Sequence, residues 1–266
     1  MQNIDIKSIL KNGNYKGLSK LPDFGYNLIA KIVKQDEINI ILEKYGDYYG
    51  IDFLIKIAEY LNVKIDIQGI ENLPENGRCF FTANHAYGIV DGLVITKIVG
   101  EKYGELKFIG NEVFNLVPNL RPLTIAVNVL EKSPRENLIA LNKAYLSNIP
   151  ITHFPNGKVS RVYKWKVQDK YWQKGFITKA ISGQRDVVPI RFYGSNSNLF
   201  HFIYILRNAL FIKKSIEFIL FPRELFRMKN KTIRVKIGKP IPFSTFDKSM
   251  SHAEWAQKVK KIVYEM

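Results

Sequence analysis

An α/β fold, a central sheet flanked by helices, is the class this sequence predicts. Short runs rich in Val, Ile, Phe and Thr recur along most of the chain, and helical spacing of apolar residues falls between many of them. No internal repeat, low-complexity stretch or Pro/Gly/Ser-rich linker interrupts the series. Such strand–helix alternation builds sheets covered on their faces by helices. A chain of 266 residues with 46% hydrophobic and 24% charged side chains can fill such a core and is not expected to be disordered.

Residues 25–43 (GYNLIAKIVKQDEINIILE) and 51–62 (IDFLIKIAEYLN) carry the helical period and predict an N-terminal helical cap over residues 1–62. Residues 63–266 read as one α/β unit. Its strands are expected at 64–69, 79–84, 107–111, 124–128, 151–156, 187–194 and 232–238, each bounded by Gly, Pro or Asn. Between them, DGLVITKIVGEK predicts a helix opening at Asp91, a good N-cap residue, and further helices are expected at 135–148 and 172–181. The N-terminal stretch MQNIDIKSILKNGNYK lacks the apolar core of a signal peptide. No window reaches the roughly 18 uninterrupted apolar residues of a spanning helix. The single cysteine, Cys79, sits in an apolar run, reads as a small buried hydrophobe and suits a reducing compartment.

The charge is uneven. Residues 1–156 hold 17 basic and 17 acidic side chains, so the net +16 resides in the last 110 residues, with 23 basic and 7 acidic. That asymmetry suits an anionic partner, either a membrane surface or nucleic acid, although a merely basic soluble protein has the same composition.

In α/β sheets, sites lie on loops leaving strand ends. The first such exit is Asn84-His85-Ala86-Tyr87-Gly88-Ile89-Val90-Asp91-Gly92. On a continuous helix His85 and Asp91 would diverge by about 240°, and on a strand they would lie roughly 20 Å apart. A tight turn at Gly88 would instead fold the carboxylate back on the imidazole, fixing its tautomer so that the other nitrogen accepts a proton. From spacing alone, the plainer reading comes first: Asp91 as a helix cap and His85 as a loop residue bonded to backbone. The second exit, HFPNGKVSR (153–161), offers Gly157 with Lys158 and Arg161 as an anion-binding corner, or an ordinary turn with solvated charges.

Two further segments stand out. In VYKWKVQDKYWQKGF, Tyr163, Trp165, Tyr171 and Trp172 alternate with Lys164, Lys166, Lys170 and Lys174. The mixture fits a bilayer-interface anchor, a single-strand nucleic-acid surface, or aromatics packed inward. The run LFHFIYILRNALFIKK (199–214) either lies in a headgroup plane, with Arg207, Lys213 and Lys214 reaching lipid phosphates, or covers the sheet as a buried helix. His153, His201 and His252 have no chemical partners in sequence. No metal-ligand spacing, nucleotide-type Gly-rich loop or Gly-x-Ser-x-Gly elbow is found.

Taken in order, Asn84-His85…Asp91-Gly92, PNLRPLTIAVN, FPNGKVSR and VVPIRFYG resemble the glycerolipid acyltransferase superfamily, the 1-acylglycerol-3-phosphate acyltransferase-like proteins. The closer resemblance is to its hemolysin-like branch, which includes enzymes O-acylating lyso-ornithine and lyso-glycine lipids. It rests on the five residues between His85 and Asp91, on GNEVFNLVPNLRPL, GSNSNLF and FPRELFRMKNKTIRVKIGKPI, and spans about residues 64–245. The resemblance implies a mixed central sheet and an O-acyltransferase of lipid biosynthesis, peripheral on the cytoplasmic side of the cell membrane. It implies no cofactor, with acyl carrier protein or acyl-coenzyme A as co-substrate, a lysolipid acceptor and no nucleic acid. His85 resembles the general base and Asp91 its orienting carboxylate. Asn84, Gly88, Arg121, Asn156, Gly157, Lys158 and Arg161 fall at implied substrate-binding positions, and Pro189 at the family's Val-Pro strand. Asn156 replaces the Glu usual in phosphate-acceptor enzymes, and Asn128 stands where an Asp-Arg type pair is common. An acylated amino acid therefore competes with lysophosphatidic acid as acceptor. A nucleic-acid-binding protein and a non-catalytic membrane-binding relative are the alternatives of other classes.

Overall fold

The computed structural model describes residues 3–12, 19–111, 114, 117–127, 135–212 and 215–266; Asn128, Lys213 and Lys214 lie outside them. Four helices open the chain: α1 (Ile6–Asn12), α2 (Asp23–Ile32), α3 (Gln35–Tyr45) and α4 (Gly50–Tyr60). The helical period over 25–43 is split between α2 and α3 because Lys34 turns the chain with φ 59°. Side chains of α3 and α4, among them Ile41, Leu42, Phe53 and Leu54, join the larger core cluster of the sheet.

Seven strands make the main sheet: β1 (Lys64–Gln68), β2 (Cys79–Ala83), β3 (Lys107–Asn111), β4 (Thr124–Val127), β5 (Ile151–His153), β8 (Asp186–Tyr193) and β9 (Thr232–Ile237). Their order is β1-β9-β8-β2-β5-β3-β4. Strands β8, β2, β5, β3 and β4 run parallel. β9 is antiparallel to β8 and parallel to β1, so the sheet is mixed. β2 lies near the middle and is buried at all five residues. Its side chains alternate, as the two-residue period demands: Phe81 joins the cluster under α4 and α5 (Ile89–Tyr103), and Phe80 joins the opposite one. That second face is covered by α6 (Arg135–Leu146), α7 (Gly175–Gly183) and α10 (His252–Glu265). The order places the exits of β2 and β5 side by side.

Three elements depart from the sequence expectation. The helix after β2 starts at Ile89 rather than Asp91, because Gly88 takes φ 83° and ends the turn early. Strand β5 stops at His153, two residues before Pro155, which has no N–H for a ladder. Residues expected as loop form a hairpin of β6 (Arg161–Tyr163) and β7 (Lys166–Gln168). Its two-residue turn has Lys164 and Trp165 at φ 49° and 62°, the primed geometry that suits a twisted hairpin. The chain then forms α8 (Asn198–Ala209), a 3-10 stretch at Ile216–Leu220 and α9 (Phe221–Arg227). Cys79 is buried, and burial pushes its thiol up to about 12, so it is a packing residue. Among the described residues no helix is long and apolar enough to cross a membrane.

Candidate active site

The bend after β2 begins with Asn84. Its carboxamide donates to the Phe192 carbonyl at 3.0 Å and accepts from the Phe192 amide at 2.8 Å, continuing the β2–β8 ladder by side chain. Asn84, expected to touch substrate, is thus a strut committed to β8. The chain then turns at Gly88, where a Cβ would meet Val159 at 3.1 Å and the Phe221 ring at 3.2 Å. Positive φ and this close approach both call for glycine, and Gly88 too shapes the bend.

The turn brings Asp91, the third residue of α5, back over the bend. Its Oδ2 accepts from the Tyr87 amide at 2.7 Å and the Gly88 amide at 3.0 Å, and lies 3.0 Å from His85 Nδ1. Asp91 is therefore both a cap, accepting from the amide of the N-cap residue Gly88, and the imidazole's partner, and the two roles weighed against each other in the sequence coincide. The residue is fully buried. Burial raises its pKa and the bonds from His85, Tyr87 and Gly88 oppose the rise. Donors converge on Oδ2, and no described group pairs with Oδ1, a pattern that suits the carboxylate rather than the acid. An ionised Asp91 sets the proton on His85 Nδ1 and leaves Nε2 as the basic nitrogen. Nothing among the described residues hydrogen-bonds Nε2, and the His85 side chain keeps 19% of its surface open. Its ring stacks on Phe154 with centroids 4.1 Å apart and planes 18° from parallel.

The exit of β5 locks onto this bend from below. The Ser160 amide donates to the His85 carbonyl at 2.6 Å. The Ser160 hydroxyl donates at 2.6 Å to Asp169 Oδ1, which also lies 3.4 Å from the His85 amide, and Trp172 Nε1 donates to Asp169 Oδ2 at 2.7 Å. Asp169 is a second fully buried carboxylate; burial raises its pKa and the Ser160 and Trp172 bonds oppose the rise. Sequence reasoning missed it, since Asp169 lies among alternating aromatics and lysines far along the chain from His85. Of the surface and inward readings of the aromatics, Trp172 takes the inward one, buried with its indole N–H on Asp169.

The remaining expected site residues separate. Gly157 takes φ 64° with open space beside it, and Lys158 is exposed. The Asn156 carboxamide bridges the Lys158 carbonyl and, at 3.3 Å, the Tyr171 amide, so it shapes the turn. Arg161 does not join this corner. Its guanidinium turns inward to Glu217 at 3.2 Å, bonds the Val159 carbonyl at 2.7 Å and lies 4.5 Å from the Phe200 ring centroid. A buried carboxylate inside an aromatic cage competes with any bound anion, so Arg161 is a structural cation here. Arg207, which the headgroup-plane reading would send to lipid phosphates, meets the same Glu217 at 3.0 Å. Arg121 is exposed on the β3–β4 connection, at the end of the 3-10 turn Pro118–Leu120. A cleft of about 460 Å³ between α4, α5 and that connection is lined by Ile51, Gly100, Leu106 and Leu123, and none of its residues belongs to the His85 bend. Among the described residues no group of three or more His, Cys, Asp or Glu could hold a metal ion.

The chain is similar in sequence to known proteins. The family model described as acyltransferase matches residues 11–266. The chain is 38% identical over 264 residues to a lyso-glycine lipid O-acyltransferase of Phocaeicola vulgatus, covering 99% of this chain and 95% of that one. It is 37% identical to the protein of the same name from Bacteroides thetaiotaomicron, covering 99% and 97%. Among solved structures, the 1-acyl-sn-glycerophosphate (LPA) acyltransferase PlsC of Thermotoga maritima superimposes with a TM-score of 0.49 at 18% identity, covering 91% of this chain and 90% of that one. By the extent of the family match and of these relatives, the chain belongs to the acyltransferase family and is an enzyme that transfers acyl groups.

Proposed function

We propose that the enzyme moves a fatty acyl group from a thioester, on acyl carrier protein or coenzyme A, to the hydroxyl of a mono-acylated amino-acid lipid. The relatives' acceptor, a lyso-glycine lipid, is the first candidate. His85 Nε2 takes the hydroxyl proton as the oxygen attacks the thioester carbonyl. The tetrahedral oxyanion collapses, the C–S bond breaks, and the thiolate takes the proton from His85. Asp91 stabilises the imidazolium between those steps, a contribution of general-base type worth about 10²–10⁴ in rate. The observation that carries this reading is the three-point clamp on Asp91 Oδ2, which holds the imidazole with Nε2 turned free.

The acceptor head is expected at the turn of Asn156, Gly157 and Lys158, where open space, exposed backbone and one cation converge. The relatives named for lyso-glycine lipid, together with Asn156 in place of the Glu usual in phosphate-acceptor enzymes, favour a lyso-amino-acid lipid over lysophosphatidic acid. The enzyme works from the cytoplasmic face of the membrane as a peripheral protein, and the basic C-terminal part also suits an acidic carrier protein. The test is mass spectrometry of lipids from a host expressing the wild type beside His85→Ala at matched protein levels. A diacylated amino-acid lipid should appear or grow with wild type alone; identical profiles would sink the proposal. Purified enzyme offered lyso-glycine lipid and lysophosphatidic acid in parallel separates the acceptors.

A further inference from the structure

Helix α8 is apolar on two sides. One side, with Phe200 and Ile203, packs onto a small cluster of Val159, Leu220 and Phe221. The other side points Phe202, Ile205 and Leu206 into solvent, and the chain beyond it adds Phe211 at 90% exposure and Phe218. A soluble surface has no use for so many large apolar side chains in one place; such patches mark interaction sites. The β6–β7 hairpin packs beside α8 and carries Trp165 at its tip, 97% exposed.

Charge identifies what covers this face. Between residues 157 and 231 the acidic side chains are Asp169, Asp186, Glu217 and Glu224. Asp169, Glu217 and Glu224 are buried, and the two glutamates are neutralised internally by Arg161, Arg207, Arg223 and Arg227. Lys164, Lys166, Lys170 and Lys174 around the hairpin are all exposed. The face therefore presents apolar side chains with a rim of cations and almost no anions. That is complementary to an anionic bilayer, into which aromatic and aliphatic groups sink while lysines meet phosphates. A second copy of the chain would bring the same cations against themselves.

The face also lies next to the chemistry. Phe221 abuts Gly88 of the catalytic bend and stacks on Phe200 and Phe218 at 5.7 and 5.1 Å. One aromatic layer separates the His85 bend from the exposed side of α8. We propose that the outer face of α8, with Phe211, Phe218 and the Trp165 hairpin, is the surface by which the enzyme docks on anionic lipid bilayers and meets its acyl-chain substrates. This rests on the peripheral-membrane reading above and adds the place of contact.

The test uses the full chain and sonicated vesicles of phosphatidylcholine with phosphatidylglycerol. Wild type should sediment with them, and brominated acyl chains should quench its tryptophan emission; Trp172 and Trp255 are buried, so the change reports Trp165. The triple variant Phe202→Glu/Ile205→Glu/Phe211→Glu should keep its melting temperature and lose about 100-fold or more in vesicle partitioning. His85→Ala should bind vesicles as wild type does, so failure of the catalytic reading and failure of the docking surface are told apart. Wild-type partitioning by a folded triple variant would overturn the proposal. So would a wild-type dimer that the same substitutions convert to monomer, since the face would then join two copies.

Discussion

Replacing Asp91 by Asn removes one charge and almost no shape. The Asn oxygen can take the place of Oδ2 and keep the bonds from Tyr87, Gly88 and His85, while the new amide falls where Oδ1 has no partner among the described residues. What is lost is the attraction between the carboxylate and the imidazolium formed as His85 takes its proton. With charge centres about 4 Å apart and an effective dielectric constant of about 20, that attraction is ~4 kcal/mol. The imidazolium is only partly developed at the transition state, so kcat should fall by about 10²–10³. The fold should survive. Asn relieves the desolvation cost that burial places on the carboxylate, while its new amide is buried with no acceptor among the described residues, a cost of about 1–3 kcal/mol, so the melting temperature should hold or fall by a few degrees. The assay is a single-turnover acyl transfer to lyso-glycine lipid, with thermal unfolding measured on the same preparations. A kcat within about 3-fold of wild type, or activity lost only in proportion to unfolded protein, would refute the role given to Asp91.

Gly194 takes φ 112°, and a Cβ there would lie 1.7 Å from the Tyr87 hydroxyl. Gly194→Ala must expel Tyr87 and break its bond to the Tyr193 carbonyl, so urea unfolding should show a loss above about 2 kcal/mol; a neutral variant would contradict the packing. Asp169→Ala strands two buried donors, Ser160 and Trp172, and should cost about 3 kcal/mol, against about 1 kcal/mol for Trp172→Phe, measured the same way. Equal small effects would argue against a buried network. His153 has a buried Nδ1 without a partner among the described residues, and burial lowers its pKa to about 4. The unfolded chain therefore binds a proton below about 6.5 that the native chain refuses, and stability present above that pH is lost toward pH 4, on the order of 3 kcal/mol. Between pH 7.5 and 4.5 wild type should lose more stability than His153→Leu by about that amount; equal losses would rule it out.

The seven strands of the main sheet were legible because each is a short β-branched or aromatic run closed by Gly, Pro or Asn, and the expected starts and ends hold to within a few residues. Sheet order and the reversal of β9 and β1 were not, since pairing is decided by partners far apart in sequence. The His85–Asp91 contact followed from one turn at Gly88. Spacing offered Asp91 as a helix cap or as the partner of His85, and did not reveal that one oxygen serves both roles from the third position of the helix, because that depends on the backbone angle at Gly88. Asp169 and the inward turn of Arg161 escaped for a common reason: each is fixed by a partner brought in by tertiary structure, His85 with Ser160 in one case and Glu217 in the other. Composition marked a basic surface without separating cations in solvent, such as Lys164, from cations locked inside, such as Arg207.

The sheet order bears on how the molecule is made. Strand β1 leaves the ribosome well before β9, its one sheet neighbour among the described residues, which begins at Thr232. β8, the hinge between the two strand directions, is also late. Until both emerge, β1 keeps a bare edge, and only β2, β3, β4 and β5 can pair. Completion of the sheet is therefore expected only once β8 and β9 have emerged, with slow closure of a long loop. Nascent chains stalled before Thr232 should remain open to proteases at β1.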